Sequence, residues 1–458
     1  MKNSLKMVSS ILLASTIGLV SINSALMAED TKQCELVKER PAFKKRFHKR
    51  VLKKIKKLQR RYKRIEKELS EDDFSVKAFY GDKLLDRVVA IDVDNMRLES
   101  ANATFGIDPY PVDQAGNTSK VYAITRGSDS MDVIDTITNE NIGIVQLQHH
   151  PRSAEAFNAD LGLQLVTGAD KPMASLIDVQ TDTVVAVVGD NTVYEANGDY
   201  GGGNATGHPF WFTKHKFALI DRPNRKISVY RVRKNRNNEW KTKEVSSIST
   251  STTVHHFLNA GKKYTFYALA EGSVQNNFSP MIIKYKMKKG VLIERARVSL
   301  SDSAIEVMGS HHANMHPDGV HMYIGSTEGN MYVLNINTMK IETTIPVGFG
   351  AGHTAFVPER HLAIVTNHKD TFVSIVDTQK HTLIKNVEVS GPQINGAILQ
   401  SHSSFVHPNM NYYYAFATDN GVFFELDLET LEVTRTVNTG GTPLQGVFLC
   451  DGQSCSGM

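Results

Sequence analysis

The sequence predicts an all-β fold: a seven-bladed β-propeller with four-stranded blades, preceded by a signal peptide and a basic amphipathic helix. From residue 119 onward, alternating strands and Gly/Asn/Asp turns recur at a spacing of about 40 residues, which is typical of propellers. Seven short apolar segments accompany these repeats as candidate inner strands. The first 75 residues differ in composition, with an uncharged stretch followed by a dense run of Lys and Arg.

The first 28 residues are expected to be a secretory signal peptide. Two lysines precede an uncharged stretch, 7–28, which has an apolar centre at 11–20 and small residues near its end. This order is that of a signal peptide, with cleavage expected near Ala25 or Ala28 and a periplasmic or secreted location. The stretch is also about long enough to span a bilayer, so an uncleaved anchor is the alternative.

Residues 29–75 are predicted to form a basic arm with a helix over 35–70. Between residues 38 and 67 the chain has sixteen Lys or Arg and two Glu, although its total net charge is only +4. Apolar residues recur at helical spacing, namely Phe43, Phe47, Val51, Leu52, Ile55, Leu58, Tyr62 and Ile65. Such a helix suits an anionic membrane surface or an acidic partner, or it docks on the acidic remainder of the same chain. No nucleic-acid partner is expected for an exported protein.

Residues 119–450 are predicted to be the propeller, with 76–118 as a linker and 451–458 as a tail. Each repeat has an alternating strand, a polar turn, a second strand that ends in Asp or Asn, a Thr/Asn-rich turn and a third strand. The last inner strand, 444–449, has no strands after it, whereas the block at 120–147 has no inner strand before it. We therefore expect the C-terminal strand to pair with that block and close the ring.

One repeat, IVTNHKDTFVSIVDTQKHTLIKNVEV at residues 364–389, carries a family resemblance. It resembles the YVTN family of seven-bladed propellers, and the resemblance extends over residues 119–450. Two kinds of protein share this architecture: the haem d1 domain of nitrite reductases, whose axial histidines hold the haem, and a periplasmic zinc chaperone that feeds a metal importer. The resemblance therefore implies zinc or haem d1 as the ligand, and a metal importer or a redox protein as the partner.

Histidine carries the main functional signal, because several of the 17 histidines fall at one repeat position, at the start of an inner strand. The predicted metal ligands are His208, His255, His256, His311, His353 and His402. Inner strands line the channel of a propeller, so imidazoles at one repeat position converge on the axis. Converging imidazoles bind copper or zinc, or serve as axial ligands of haem. The alternative is that each histidine stabilises a turn in its own blade.

The other histidines are interpreted as turn or exposed strand residues: His149, His150, His316, His321, His361, His368, His381 and His407. Cys450 and Cys455 are close enough in sequence to form a small disulfide loop, which export permits, and this leaves Cys34 as an odd thiol.

The sequence contains none of the GxSxG, HExxH, CxxCH or P-loop motifs, so no enzyme class is indicated. The leading hypothesis is an exported metal-handling propeller of metallochaperone type. A haem d1-like periplasmic redox enzyme and a metal-free protein-interaction scaffold are the alternatives.

Overall fold

The structure is a computed structural model that describes residues 75–194, 204–272, 278–300 and 310–455. The described residues form β-strands and two single-turn 3-10 helices, Pro358–Arg360 and Thr418–Asn420, without an α-helix. Within this part of the chain, no helix has the length and apolar character needed to cross a membrane. The expected signal peptide and basic arm lie outside the described residues, so the partners assigned to the arm stay predictions.

The strands form eight antiparallel sheets, each of which is one blade of a propeller. Blade 1 consists of β1 (Val76–Asp82), β2 (Arg87–Asp92), β3 (Arg97–Ala103), β32 (Pro443–Cys450) and β33 (Gln453–Ser454). Blade 2 has β4 (Pro109–Gln114), β5 (Lys120–Thr125), β6 (Ser130–Asp135) and β7 (Asn141–Gln146), and blade 3 has β8 (Pro151–Asn158), β9 (Leu163–Gly168), β10 (Met173–Asp178) and β11 (Thr183–Gly189). Blade 4 has β12 (Phe210–Thr213), β13 (Lys216–Asp221), β14 (Lys226–Lys234) and β15 (Trp240–Ser249), and blade 5 has β16 (Val254–Asn259), β17 (Thr265–Ala270), β18 (Met281–Lys288) and β19 (Val291–Ser299).

The last three blades follow the same order from the inner to the outer strand. Blade 6 has β20 (Ser310–Met315), β21 (His321–Ser326), β22 (Asn330–Asn335) and β23 (Lys340–Pro346). Blade 7 has β24 (Ala351–Val357), β25 (Leu362–Asn367), β26 (Phe372–Asp377) and β27 (Thr382–Glu388), and blade 8 has β28 (Gln400–Val406), β29 (Tyr412–Ala417), β30 (Val422–Asp427) and β31 (Glu432–Asn438).

The prediction of seven blades is wrong, because residues 76–118, which were assigned to a linker, contain β1–β4. The predicted closing pair is also wrong. Strand β32 pairs with β1, in the register Ala78 opposite Phe448, and the block at 120–147 has its own inner strand, β4. That strand was missed because its sequence, PYPVDQ, has two prolines and no regular alternation.

The seam where the ring closes is packed as a hydrophobic core. The Tyr80 ring lies 4.7 Å from Phe416 of blade 8 and 5.8 Å from Phe448, measured between ring centroids, and all three are fully buried. The hydroxyl of Tyr80 donates a hydrogen bond of 2.8 Å to the backbone carbonyl of Ser403. A disulfide between Cys450 and Cys455 links the β32–β33 hairpin. The inner strands are therefore held on a closed scaffold around one axis.

Candidate metal centre

Blades 4 to 8 bring seven histidines together at the mouth of the channel where their inner strands start. They are His208, His255, His256, His312, His353, His368 and His402. Neighbouring ring centroids lie between 3.7 Å apart, for His312 and His353, and 6.3 Å apart, for His353 and His368. The rings thus form a continuous set, which we call the histidine arc.

One group in the arc, His255, His256 and His312, has the spacing of a metal site. Each offers a ring nitrogen, and these three nitrogens lie within 4.8 Å of one another. Two imidazoles that bind one zinc ion at about 2.0–2.1 Å have nitrogens no more than about 4.2 Å apart. Small side-chain rotations are therefore enough to convert the group into a three-histidine metal site.

β-Bulges explain why successive histidines reach the same mouth. In a regular strand, neighbouring side chains point to opposite faces. The pairing register of β16 shifts between Val254 and His256, and that of β20 shifts between Ser310 and His312. A bulge re-aims side chains and is common beside functional sites. It brings His255 and His256 into the arc together.

Two glycines allow the arc to be this compact. Gly352 precedes His353, and a Cβ at this position would collide with the ring of His368. Gly207 precedes His208, and a Cβ there would lie 2.6 Å from the backbone carbonyl oxygen of His255. Both positions therefore exclude a side chain.

Carboxylates orient two of the rings. Nδ1 of His208 lies 2.6 Å from a carboxylate oxygen of Glu155, and Nδ1 of His255 lies 3.1 Å from one of Glu271. Because a carboxylate can only accept, Nδ1 of His208 carries the proton, whereas Nδ1 of His255 also lies 3.3 Å from Nη2 of Arg152, a group that can only donate. Metal-binding histidines are commonly fixed by a carboxylate in this way.

Two further rings of the arc are held through Nδ1. His368 donates from Nδ1 to the backbone carbonyl of Gln400 at 2.9 Å. The hydroxyl of Tyr110 lies 2.6 Å from Nδ1 of His402. These contacts fix the orientation of both rings within the arc.

Arginines and carboxylates occupy the other side of the mouth. Arg222 forms an ion pair with Glu271, and both side chains are only 1% exposed. Arg126 stacks on Tyr110, with its guanidinium carbon 4.1 Å from the ring centroid. Arg152 is buried as well. Between the two sides lies a cavity of about 70 Å³, lined by Tyr110, Arg126, Arg152, Asn204, His208, Arg222, His255, Glu271, His312, His402 and Gln445.

The protonation states at the mouth suit metal ligands. Burial lowers the pKa of His208, and it holds the pKa of His255 well below its ordinary value although Glu271 acts in the opposite direction. Burial and the nearby Glu155 raise the pKa of Asp113 to about 7. The imidazoles of His208 and His255 are therefore neutral near pH 7, and neutral imidazole is the form that binds metal.

The structure brings together five of the six predicted ligands: His208, His255, His256, His353 and His402. The side chain of the sixth, His311, lies outside the described residues. The histidine that strand β20 contributes to the arc is His312. His368, interpreted from sequence as an exposed strand or turn residue, is buried within the arc. The sequence signal that could have identified His312 is the pair His311–His312, which repeats the pair His255–His256 of the preceding blade. No sequence signal pointed to the arginines.

Comparison with known proteins shows the fold. No family model and no curated protein matches the chain, so the YVTN assignment is not confirmed. Among solved structures, the dihydro-haem d1 dehydrogenase NirN in complex with DHE matches with TM-score 0.58 and 13% identity, over 82% of this chain and 75% of that one. Apo AztD from Citrobacter koseri matches with TM-score 0.54 and 12% identity, over 83% and 99%. The periplasmic gluconolactonase PpgL from Pseudomonas aeruginosa matches with TM-score 0.50 and 13% identity, over 69% and 95%. At such low identity these similarities establish one conclusion, that the chain is a β-propeller.

Proposed function

We propose that the protein binds a copper or zinc ion at the mouth of its channel and takes part in handling that metal outside the cytoplasm. One observation carries the proposal: His255, His256 and His312 offer ring nitrogens within 4.8 Å of one another. Neutral imidazole is a ligand that suits both metals, so the residues themselves do not select between them. Export is proposed from the N-terminal sequence.

The chemistry of the arc favours handling over permanent storage. Three protein ligands leave a coordination position open for water or for a donor group of a partner. The His353 ring lies 3.7 Å from that of His312, and the His402 ring lies 5.7 Å from that of His353. An ion could therefore pass along the arc by exchanging one imidazole for the next, without being released into water.

The buried arginines do not exclude a cation from this mouth. The charge of Arg222 is paired with that of Glu271, and Glu155 contacts His208 on the same side. These two carboxylates offset part of the positive charge of the three guanidinium groups, and they contact the rings of His208 and His255. The described acidic groups thus support a divalent ion bound by neutral histidines.

A haem d1-like enzyme remains the rival hypothesis, because the histidines of the arc could also serve as axial ligands. The cavity of about 70 Å³ is far smaller than the roughly 300–1,000 Å³ of sites that enclose drug-sized ligands. A haem would therefore have to lie above the mouth rather than inside it. A metal-free scaffold is the third possibility, and a spectrum together with metal analysis distinguishes all three.

The test is metal stoichiometry. Mature protein is stripped with a chelator, and zinc or copper(II) is added back and measured by elemental analysis and titration calorimetry. The variant His255→Ala/His256→Ala/His312→Ala is expected to bind one equivalent fewer than the wild type. His215→Ala, an exposed turn histidine of blade 4, is the matched control and is expected to bind as the wild type does.

Two results would contradict the proposal. One is equal metal content in the triple variant and the wild type. The other is an intense haem absorption band in protein purified from its native compartment, which would favour the redox enzyme.

A further inference from the structure

A second group of ligands lies on the opposite face of the ring, in the turn between β20 and β21 of blade 6. The inner strand β20 starts at the mouth that holds the histidine arc and ends at this turn. His316 and Asp318 belong to the turn, and His321 is the first residue of β21. The nitrogens and the oxygen that these three residues offer all lie within 4.8 Å of one another.

The turn holds the carboxylate in place. Oδ1 of Asp318 accepts hydrogen bonds from the backbone N–H groups of Val320 at 2.7 Å and His321 at 2.9 Å. The other oxygen, Oδ2, lies 3.0 Å from Nδ1 of His316 and 2.6 Å from Nδ1 of His321. One carboxylate oxygen is therefore fixed between two imidazole nitrogens.

The environment of His316 is not that of an ordinary turn residue. Its side chain is only 10% exposed and packs against the rings of Tyr323 and Phe356, each at 5.4 Å between centroids. Nε2 is buried without a hydrogen-bond partner. Nδ1 accepts the backbone N–H of Asp318 at 3.2 Å, yet it also faces the Asp318 carboxylate. This nitrogen faces Oδ2 of Asp318 at 3.0 Å, so a cation bound to Oδ2 would be within its reach.

Blade 7 contributes a further nitrogen to this group. The His381 ring lies 4.9 Å from that of His321 and 5.7 Å from that of His316, between centroids. Its Nδ1 is engaged by the hydroxyl of Tyr323 at 2.7 Å, so a metal would be bound through Nε2. Glu342 contacts Nε2 of His321 at 2.8 Å and fixes that ring from behind. A metal bound at Nδ1 would displace the proton that this nitrogen shares with Oδ2 of Asp318.

We propose that His316, Asp318 and His321, with His381 as the fourth ligand, form a second divalent-metal site that links blades 6 and 7. Imidazole nitrogens combined with a carboxylate oxygen are a donor set that zinc takes. The site is independent of the histidine arc, since it shares none of its residues.

This site is tested by measuring zinc binding in a variant that lacks the three metal ligands of the arc. The triple variant His255→Ala/His256→Ala/His312→Ala, purified as the full mature chain, is expected to retain one equivalent of zinc. Adding Asp318→Asn is expected to abolish that equivalent, because Asn keeps the Oδ1 acceptor of the turn but loses the anionic ligand. His321→Gln is a second variant with the same expected loss, and circular dichroism checks that both are folded.

The matched control is His361→Asn, on the same face of blade 7. His361 has φ of 55°, a left-handed conformation that Asn tolerates, and this variant is expected to keep the equivalent. Zinc retained by both the Asp318→Asn and the His321→Gln protein would overturn the second site, as would a triple variant that binds no zinc. A triple variant that binds as much zinc as the wild type contradicts only the metal site in the arc. Failure of the proposed function and failure of the second site are therefore distinguishable.

Discussion

Replacing Glu271 with Gln should weaken both the fold and the metal site. Glu271 and Arg222 form an ion pair in which each side chain is 1% exposed. Breaking a buried pair by removing one partner typically costs about 3–5 kcal/mol, because the remaining charge stays buried. Natural domains have only about 5–15 kcal/mol of stability in total, so the loss should be easy to detect.

The same substitution acts on the histidine arc. Glu271 lies 3.1 Å from Nδ1 of His255 and orients that ring. Loss of a carboxylate behind a metal-binding histidine typically lowers metal affinity about 10–100-fold. Glu271→Gln is thus expected to bind zinc at the arc with an affinity reduced by that factor.

Urea unfolding in the presence of a chelator measures the first effect, and zinc titration measures the second. Glu244→Gln is the control, since Glu244 is a partly exposed residue 3.9 Å from Lys226, and such pairs contribute only about 0–1 kcal/mol. The variant Arg222→Met/Glu271→Gln should recover part of the lost stability, because Arg222 no longer carries a buried charge without its partner. If Glu271→Gln unfolds at the same urea concentration as the Glu244 control, the reasoning is refuted.

Three further perturbations have defined outcomes. Gly352→Ala should displace the ring of His368 and reduce metal binding at the arc at least several-fold, as seen by titration; unchanged binding would contradict the packing. Burial lowers the pKa of His149, so the folded state resists protonation of this ring. The contribution of His149 to stability should therefore be full above about pH 6.5 and fall at lower pH. His149→Gln should flatten this decline in unfolding experiments between pH 7.5 and 5.5, and an identical decline in the variant would count against the reasoning. Deletion of residues 443–458 exposes the edge of β1 and should abolish the cooperative thermal transition, whereas a truncated chain that melts like the wild type would contradict ring closure by β32.

The propeller could be predicted from sequence because its second and third strands alternate regularly and end at Asn, Asp or Gly turns. One blade escaped this pattern. Its strands come from both ends of the chain, β1–β3 and β32, so no contiguous repeat exists for it. Strand β3 reads RLESANA, which lacks the β-branched residues that mark a strand. The error of one blade therefore has a local physical cause.

The clustering of His208, His255, His256, His353 and His402 could also be predicted, since it depends only on repeat position. The identity of every histidine in the arc could not be predicted. Strict alternation would place His312 on the face opposite to His311, whereas the bulge in β20 changes the direction of side chains. His368 comes from a turn after the second strand of blade 7, and its approach depends on the absence of a side chain at Gly352.

Anomalous X-ray diffraction from crystals of the mature protein soaked in zinc tests the central claim most directly. The account predicts a peak at the channel mouth, at about 2.0–2.1 Å from ring nitrogens of His255, His256 and His312. Crystals of the triple alanine variant should lack this peak. Zinc bound elsewhere in the wild type with none at the mouth would contradict the proposed metal centre.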